Sequence, residues 1–239
     1  EIVGFLGPNG AGKTTTMRVL TCFLSASEGS ARVAGYDIFK EPHEVKKRIG
    51  YLPESPPIYR DMRVRTYLEF VANIKGVAKK DRARQTDKVM ERTGLTDRAR
   101  QLIGQLSKGY RQRVGLAQAI IHDPEVIILD EPTSGLDPNQ TREVRGLIKE
   151  LAEDRTVILS THILPEVSMT CSRVIIINNG QISAVDTPGN LSAKMKGNER
   201  VYVEVKGSLE SATAAIQTLP GVINVEAASN APSQITALH

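Results

Sequence analysis

Residues 7–15, Gly-Pro-Asn-Gly-Ala-Gly-Lys-Thr-Thr, place glycines, a lysine and hydroxyls at the spacing G-x-x-x-x-G-K-S/T. Such a loop can cradle phosphate. The glycines Gly7, Gly10 and Gly12 let backbone N–H groups turn inward, and Pro8, Asn9 and Ala11 complete the loop. A helix beginning near Lys13 adds its own unpaired N–H groups and the positive end of its dipole. Lys13 reaches toward the β- and γ-phosphates of a nucleotide, the Thr14 hydroxyl suits Mg²⁺, and Thr15 extends the row of donors. An apolar run, Ile2-Val3-Gly4-Phe5-Leu6, precedes the loop, so the strand–loop–helix context is present. An unliganded glycine turn explains the pattern poorly, because a lysine beside inward-facing amides has no structural purpose.

A second group of residues can act on what such a loop holds. Val126-Ile127-Ile128-Leu129-Asp130-Glu131 is an apolar run ending in two carboxylates. Burying acids at a strand end is costly unless they serve something. Asp130 suits the Mg²⁺ shell, and Glu131 is placed to orient or deprotonate a water attacking the γ-phosphate. A helix cap would account for one acid but not both. Leu106-Ser107-Lys108-Gly109-Tyr110-Arg111-Gln112-Arg113 precedes a helical face of Val114, Leu116, Ala117, Ile120 and Ile121. Taken alone, its Ser and Gly read as an N-cap. His162, after Thr156-Val157-Ile158-Leu159-Ser160-Thr161, would ordinarily be a structural histidine.

The elements that must position these groups are legible as alternating patterns. Strand-like runs recur at 2–6, 31–34, 49–52, 126–130, 156–160, 174–178 and 181–185, with helical patterns between several of them. That predicts an α/β domain with a mainly parallel, buried sheet. Asn179-Gly180 predicts a hairpin, hence an antiparallel pair at one place. From about 64 to 122 a helical insertion is expected. Its apolar residues at helical spacing are Tyr67, Phe70, Val71, Ile74, Val89, Met90 and Leu95, and Lys79, Lys80, Arg82, Arg84 and Lys88 form a solvated face. Residues 201–205, 212–219 and 222–225 predict a small β-α-β appendage, with Pro220-Gly221 as its turn, and the pattern stops in mid-course at His239. The expected organisation is one domain over 1–197 and the appendage over 198–239.

Composition bounds the remaining possibilities. The 239 residues are 40% hydrophobic and 24% charged, with a net charge of +4. This is the profile of an ordinary folded domain and too mild a charge to imply nucleic acid. Cys22 and Cys171 lack metal-ligand spacing and are expected to be small hydrophobes in a reducing compartment. No apolar run approaches the ~18 residues of a membrane span.

The motifs occur in one order: residues 7–15, Leu106 to Arg113, 126–131, Ser134-Gly135-Leu136-Asp137, and Ser160-Thr161-His162. In that order the chain resembles the nucleotide-binding subunit of an ATP-binding-cassette (ABC) transporter, over about residues 1–195. The resemblance implies a P-loop NTPase of the ABC ATPase fold, with ATP and Mg²⁺ as substrate and cofactor. It makes Ser107, Lys108 and Gly109 the signature segment, which binds the γ-phosphate held by a second copy. Lys108 and Tyr110 replace the usual glycine and glutamine there, while the hydroxyl and amide donors survive. Asp137 becomes the D-loop acid and His162 the switch histidine. Glu54, in Tyr51-Leu52-Pro53-Glu54, stands where most members carry a glutamine, and its carboxylate can still meet the Mg²⁺ shell. The expected partners are a second, identical or similar ATPase subunit and multi-span transmembrane permease subunits, at the cytoplasmic face of the cell membrane. The sequence is similar in particular to the branch serving ABC-2-type exporters. The family's adenine-stacking aromatic lies on a strand before residue 1, so an earlier strand is expected. The rival reading is a soluble ABC ATPase acting on ribosomes or DNA. A single cassette, and no sustained heptads between Glu54 and Leu106, disfavour it.

Overall fold

Runs of branched apolar residues without polar alternation are stable as strands only where both faces are covered. In the computed structural model, which describes residues 1–195, 200–204, 208–220, 222, 224–227 and 234–238, these runs form the centre of an α/β sheet. In chain order, β1 (Ile2–Leu6) leads through the glycine loop into α1 (Lys13–Leu20). A short hairpin, β2 (Arg32–Val33) and β3 (Tyr36–Asp37), is followed by α2 (Pro42–Arg48) and β4 (Ile49–Leu52). Three helices, α3 (Val64–Ile74), α4 (Arg82–Arg92) and α5 (Lys108–Ile120), precede β5 (Val126–Asp130). Then come α6 (Pro138–Leu151), β6 (Thr156–Thr161), α7 (Leu164–Thr170), β7 (Arg173–Asn178) and β8 (Gln181–Asp186). The strand order is β4-β5-β6-β1-β7-β8. Every neighbouring pair is parallel except β7–β8.

This topology decides where the chemistry can sit. The carboxyl ends of β1, β4, β5 and β6 lie on one edge, where ligands bind in open parallel sheets. The glycine loop, Glu54, Glu131 and His162 each follow one of these strands. The hairpin closing β7 and β8 also reaches that edge. Asn179 and Gly180 both have positive φ, 48° and 75°, as a type I′ turn demands. Gly180 N–H donates to the Ala11 carbonyl at 3.0 Å, so the turn braces the glycine loop from behind.

The core is assembled from Phe5, Met17, Val45, Ile49, Ile128 and Ile177. Within the helical insertion, Tyr67, Val71, Val89, Met90 and Leu95 are buried as their spacing suggests. Phe70 and Ile74 differ from that pattern: they stand exposed, and Leu68 and Ala72 take the inward places on α3. Phe70 instead meets the ring of Tyr59, 5.8 Å between centroids. The expected run at 31–34 is shorter than its apolar residues suggest. Ala34 and Gly35, both at positive φ, fold it back into β2–β3 outside the main sheet.

The chain divides into two compact units, Glu1–Pro188 and Gly189–His239, ahead of the break expected at 197. The second holds α8 (Pro188–Met195) from Gly189 onward, β9 (Arg200–Glu204), α9 (Leu209–Gln217), β10 (Asn224–Ala227) and β11 (Gln234–Leu238). β9, α9 and β10 overlap the runs expected at 201–205, 212–219 and 222–225. β11 is additional and pairs antiparallel with both strands, lying between them. The proposed boundary at 197/198, Val205, Gly221 and Ile223 lie outside the described residues.

Candidate active site

The glycine loop shows why its residue types were required. A Cβ on Gly7 would run into the Ile177 carbonyl of β7, so only glycine lets the loop pass this strand. Gly12 is the N-cap of α1 at φ 105°, with no side chain capping the helix and no acid in its first turn. The first amides of α1 are therefore left for an anion. Lys13, 7% exposed, curls back over the loop. Its ammonium donates to the Gly7 carbonyl at 2.7 Å and the Pro8 carbonyl at 3.2 Å.

The acids lie where β5 ends. Asp130 is 1% exposed. One of its oxygens accepts the Ser160 hydroxyl at 2.7 Å, while Oδ2 is buried without a hydrogen-bond partner. Glu131 adopts φ 49°, a left-handed conformation that costs a non-glycine residue roughly 1–2 kcal/mol. In that conformation its carboxylate accepts the His162 Nδ1 proton at 3.0 and 3.1 Å and lies 3.7 Å from the Lys13 ammonium. Since a carboxylate only accepts, this contact assigns the imidazole proton to Nδ1. Strain at a functional group is a common price of orientation.

Asn9, Gly10, Gly12, Lys13, Thr14, Thr15, Glu54, Glu131, Ser134 and His162 line a single cleft of about 450 Å³. Loops after β1, β4, β5 and β6 thus converge on one polar space. Gly7, Pro8, Ala11 and Asp130 are not on its wall; Gly7, Ala11 and Asp130 are buried. A sequence profile of the ABC transporter family matches residues 1–134.

The chain belongs to the ABC transporter family.

Curated relatives agree with that membership. The uncharacterized ABC transporter ATP-binding protein YhcH of Bacillus subtilis is 39% identical over 220 residues, covering 91% of this chain and 70% of the relative. The bacitracin transport ATP-binding protein BcrA of Bacillus licheniformis is 42% identical over 184 residues, covering 76% of this chain and 59% of the relative. The linearmycin resistance ATP-binding protein LnrL of Bacillus subtilis is 34% identical over 226 residues, covering 94% and 73%. Among solved structures, cbiO1 from Clostridium perfringens, part of the ABC transporter complex cbiONQ, superposes with a TM-score of 0.74 at 27% identity, covering 82% of this chain and 80% of that one. The fold is that of an ABC ATPase domain, and ATP binding and hydrolysis follow from the family.

Other expected residues of the ABC motifs lie apart from the cleft. Ser107 caps α5, its hydroxyl accepting from Tyr110 N–H at 3.4 Å. A Cβ on Gly109 would press on the Gln140 amide, and one on Gly135 would meet the Lys108 ammonium. The segments expected to be the signature and the D-loop are therefore packed together. Asp137 caps α6, accepting from Asn139 and Gln140 N–H at 3.0 and 2.9 Å. Glu54 borders both the cleft and a neighbouring one lined by Lys108 and Arg111. One buried carboxylate, Glu166, has no counterpart in the sequence reading. It accepts the Thr133 hydroxyl at 2.8 Å and the Thr161 hydroxyl at 3.0 Å. An acid in the first turn of a short helix resembles any dipole-stabilising acid, so nothing in its spacing reveals these partners.

Proposed function

We propose that residues 7–15 bind the phosphates of ATP, that Glu131 and His162 carry its hydrolysis, and that the energy drives export through a separate multi-span membrane subunit. The observation that carries the catalytic reading is the meeting of Lys13, Glu131 and His162 in one cleft over the buried, unpaired Asp130 oxygen. ATP contributes the γ-phosphoryl group. Lys13 and the loop amides offset the charge spread over its oxygens. Glu131, aligned by the Nδ1 proton of His162, orients the water and takes its proton.

The chain's residues fit Mg²⁺. A buried carboxylate oxygen with no partner calls for a cation or a water bound to one. Among the described residues no three acidic, His or Cys side chains form a cage, which suits an ion taking most ligands from phosphate and water. Thr14 and Asp130 would hold it, with Glu54 at the margin of its shell. Bound there, it neutralises charge on the β- and γ-phosphates.

Ser107, Lys108, Gly109 and Asp137 do not line the cleft of their own chain, which favours their acting on the ATP of a second copy in a homodimer. Among the described residues no helix is long and apolar enough to cross a membrane. A peripheral position on the cytoplasmic face, with permease subunits supplying the path, is the proposed arrangement. The names of BcrA and LnrL, bacitracin transport and linearmycin resistance, favour export over action on ribosomes or DNA. A groove of about 390 Å³ lined by Arg18, Phe23, Tyr51, Lys75 and Gln118 is the proposed seat of the membrane subunit. Phe23, 72% exposed, offers it an apolar contact.

Glu131→Gln tests the chemistry. Turnover of ATP is expected to fall about 100-fold or more, the usual worth of a general base, while ATP still binds and holds the dimer closed. Hydrolysis at the wild-type rate would sink the assignment.

A further inference from the structure

We infer that Glu166 is a positioning residue for hydrolysis, a single buried carboxylate that sets the Glu131 and His162 segments at their working separation. The inference rests on the proposed roles of those two residues and concerns what holds them in register.

Glu166 lies on α7, outside the cleft lining, and is 8% exposed. Its two oxygens are used separately. Oε1 accepts the hydroxyl of Thr133, two residues beyond Glu131, at 2.8 Å, and Oε2 accepts the hydroxyl of Thr161, the residue before His162, at 3.0 Å. Thr161 is itself fixed from the other side: its hydroxyl accepts from Ile163 N–H at 3.1 Å. The peptide on both sides of His162 is thereby tied to Glu166, and so is the turn leaving Glu131. The backbone of that turn is strained, with Glu131 at φ 49°, and strain persists only where surrounding contacts over-determine it.

A plain structural reading would make Glu166 a first-turn acid favouring the helix dipole. Such an acid needs no side-chain partners. Burial of a carboxylate is costly unless its oxygens are satisfied, and here both are satisfied by hydroxyls from the two segments whose relative placement matters. The Glu131–His162 contact of 3.0 Å spans two loops otherwise joined across β5 and β6. A misplacement of about 1 Å between reacting groups can cost roughly 100-fold in rate.

The test uses the full-length protein with Glu166→Leu, Glu166→Gln, Thr133→Val and Thr161→Val. Each is assayed for kcat and KM in ATP hydrolysis and for affinity toward the fluorescent analogue mant-ATP. Glu166→Leu is expected to lower kcat about tenfold or more while KM and mant-ATP affinity stay within about twofold. Glu166→Gln, whose amide can accept one hydroxyl and donate to the other, is expected to stay within about threefold of wild type. His162→Ala is expected to cost less in the Glu166→Leu background than in wild type, as for groups acting as a unit. A Glu166→Leu enzyme with kcat within about twofold of wild type overturns the inference, as does a loss shared equally by mant-ATP binding. Should that variant not fold, the two Thr→Val variants decide: lowered kcat in either supports it, and wild-type kcat in both overturns it. Failure of the underlying reading shows differently, as undiminished hydrolysis by Glu131→Gln whatever Glu166 does.

Discussion

Lys13 meets two backbone carbonyls and the edge of the Glu131 carboxylate, so its charge is already desolvated and aimed before nucleotide arrives. An ammonium held this way loses little more on meeting phosphate, and a charge-assisted hydrogen bond is worth roughly 1.5–3 kcal/mol. Lys13→Ala is therefore expected to weaken ATP binding about 10- to 100-fold, measured by titration with a fluorescent nucleotide; unchanged affinity would remove Lys13 from the site. The individual residues of this site were readable in the sequence to differing degrees, for a physical reason. Lys13, Asp130, Glu131 and His162 sit at fixed offsets from strand ends, and strand ends show in apolar runs. Glu166 meets partners 33 and 5 residues away through side chains alone, and no periodicity records that. The conformation of Glu131 was equally hidden, since a positive φ at a glutamate leaves no compositional trace.

Strands, helices and turns obey rules that act locally, and there the sequence was most informative. The parallel strands follow unbroken Val/Ile/Leu runs, and Asn179-Gly180 gave away the β7–β8 hairpin because only such residues adopt a type I′ turn cheaply. The hairpin's brace against Ala11 did not show, being a contact between elements. β3, two residues long, carries too little pattern to register, and the place of β11 between β9 and β10 is set by pairing between elements. Two contacts between β4 and α5 lead to predictions at this scale. A Cβ on Gly50 would meet the Ala119 carbonyl of α5, and backbone cannot yield as a side-chain tip can. Gly50→Ala is expected to cost ~2 kcal/mol and lower the melting temperature by roughly 5 °C; an unchanged melt would contradict so close an approach. His122, just past α5, bonds through Nε2 to the Ile49 carbonyl at 3.1 Å. Burial, with Lys75 nearby as a lesser cause, pushes its pKa from 6.5 down to about 4. The unfolded chain thus takes up a proton first as pH falls. The stability is full above pH 6.5 and drains away as pH falls toward 4, on the order of 3 kcal/mol in all. Denaturant titrations of wild type and His122→Gln at pH 7 and pH 5 check this. The variant is expected to lose markedly less stability on acidification, and equal losses would show that His122 already titrates normally.

Whole-molecule behaviour turns on where the signature segment stands. Ser107 caps α5, Lys108 lies against Gly135, and Gly109 packs on Gln140 of α6, so residues 107–109 and the 134–137 turn form one packed face. Ser107, Lys108, Gly109 and Asp137 do not line the cleft holding Lys13 and Glu131, while Ser134, at the start of that turn, does. If each chain were self-sufficient, this face would have no reason to keep donors near solvent. In the proposed twofold dimer each ATP would instead lie between the cleft of one copy and residues 107–109 of the other. Lys13→Ala spoils the cleft, and Ser107→Glu sets a negative charge where the γ-phosphate of the other copy must dock. Each homodimer should be inactive. In a mixed dimer one site carries both lesions and the other carries neither. Equal mixing of the two variants should then restore hydrolysis to about a quarter of the wild-type level, since half the dimers are mixed and half their sites intact. Recovery should require subunit exchange and should fall on dilution as dimers dissociate. The rate of ATP hydrolysis against mixing ratio measures it, with a maximum at equal proportions. A mixture as inactive as either variant would confine the site to one chain and return Ser107 to the plain role of a helix cap.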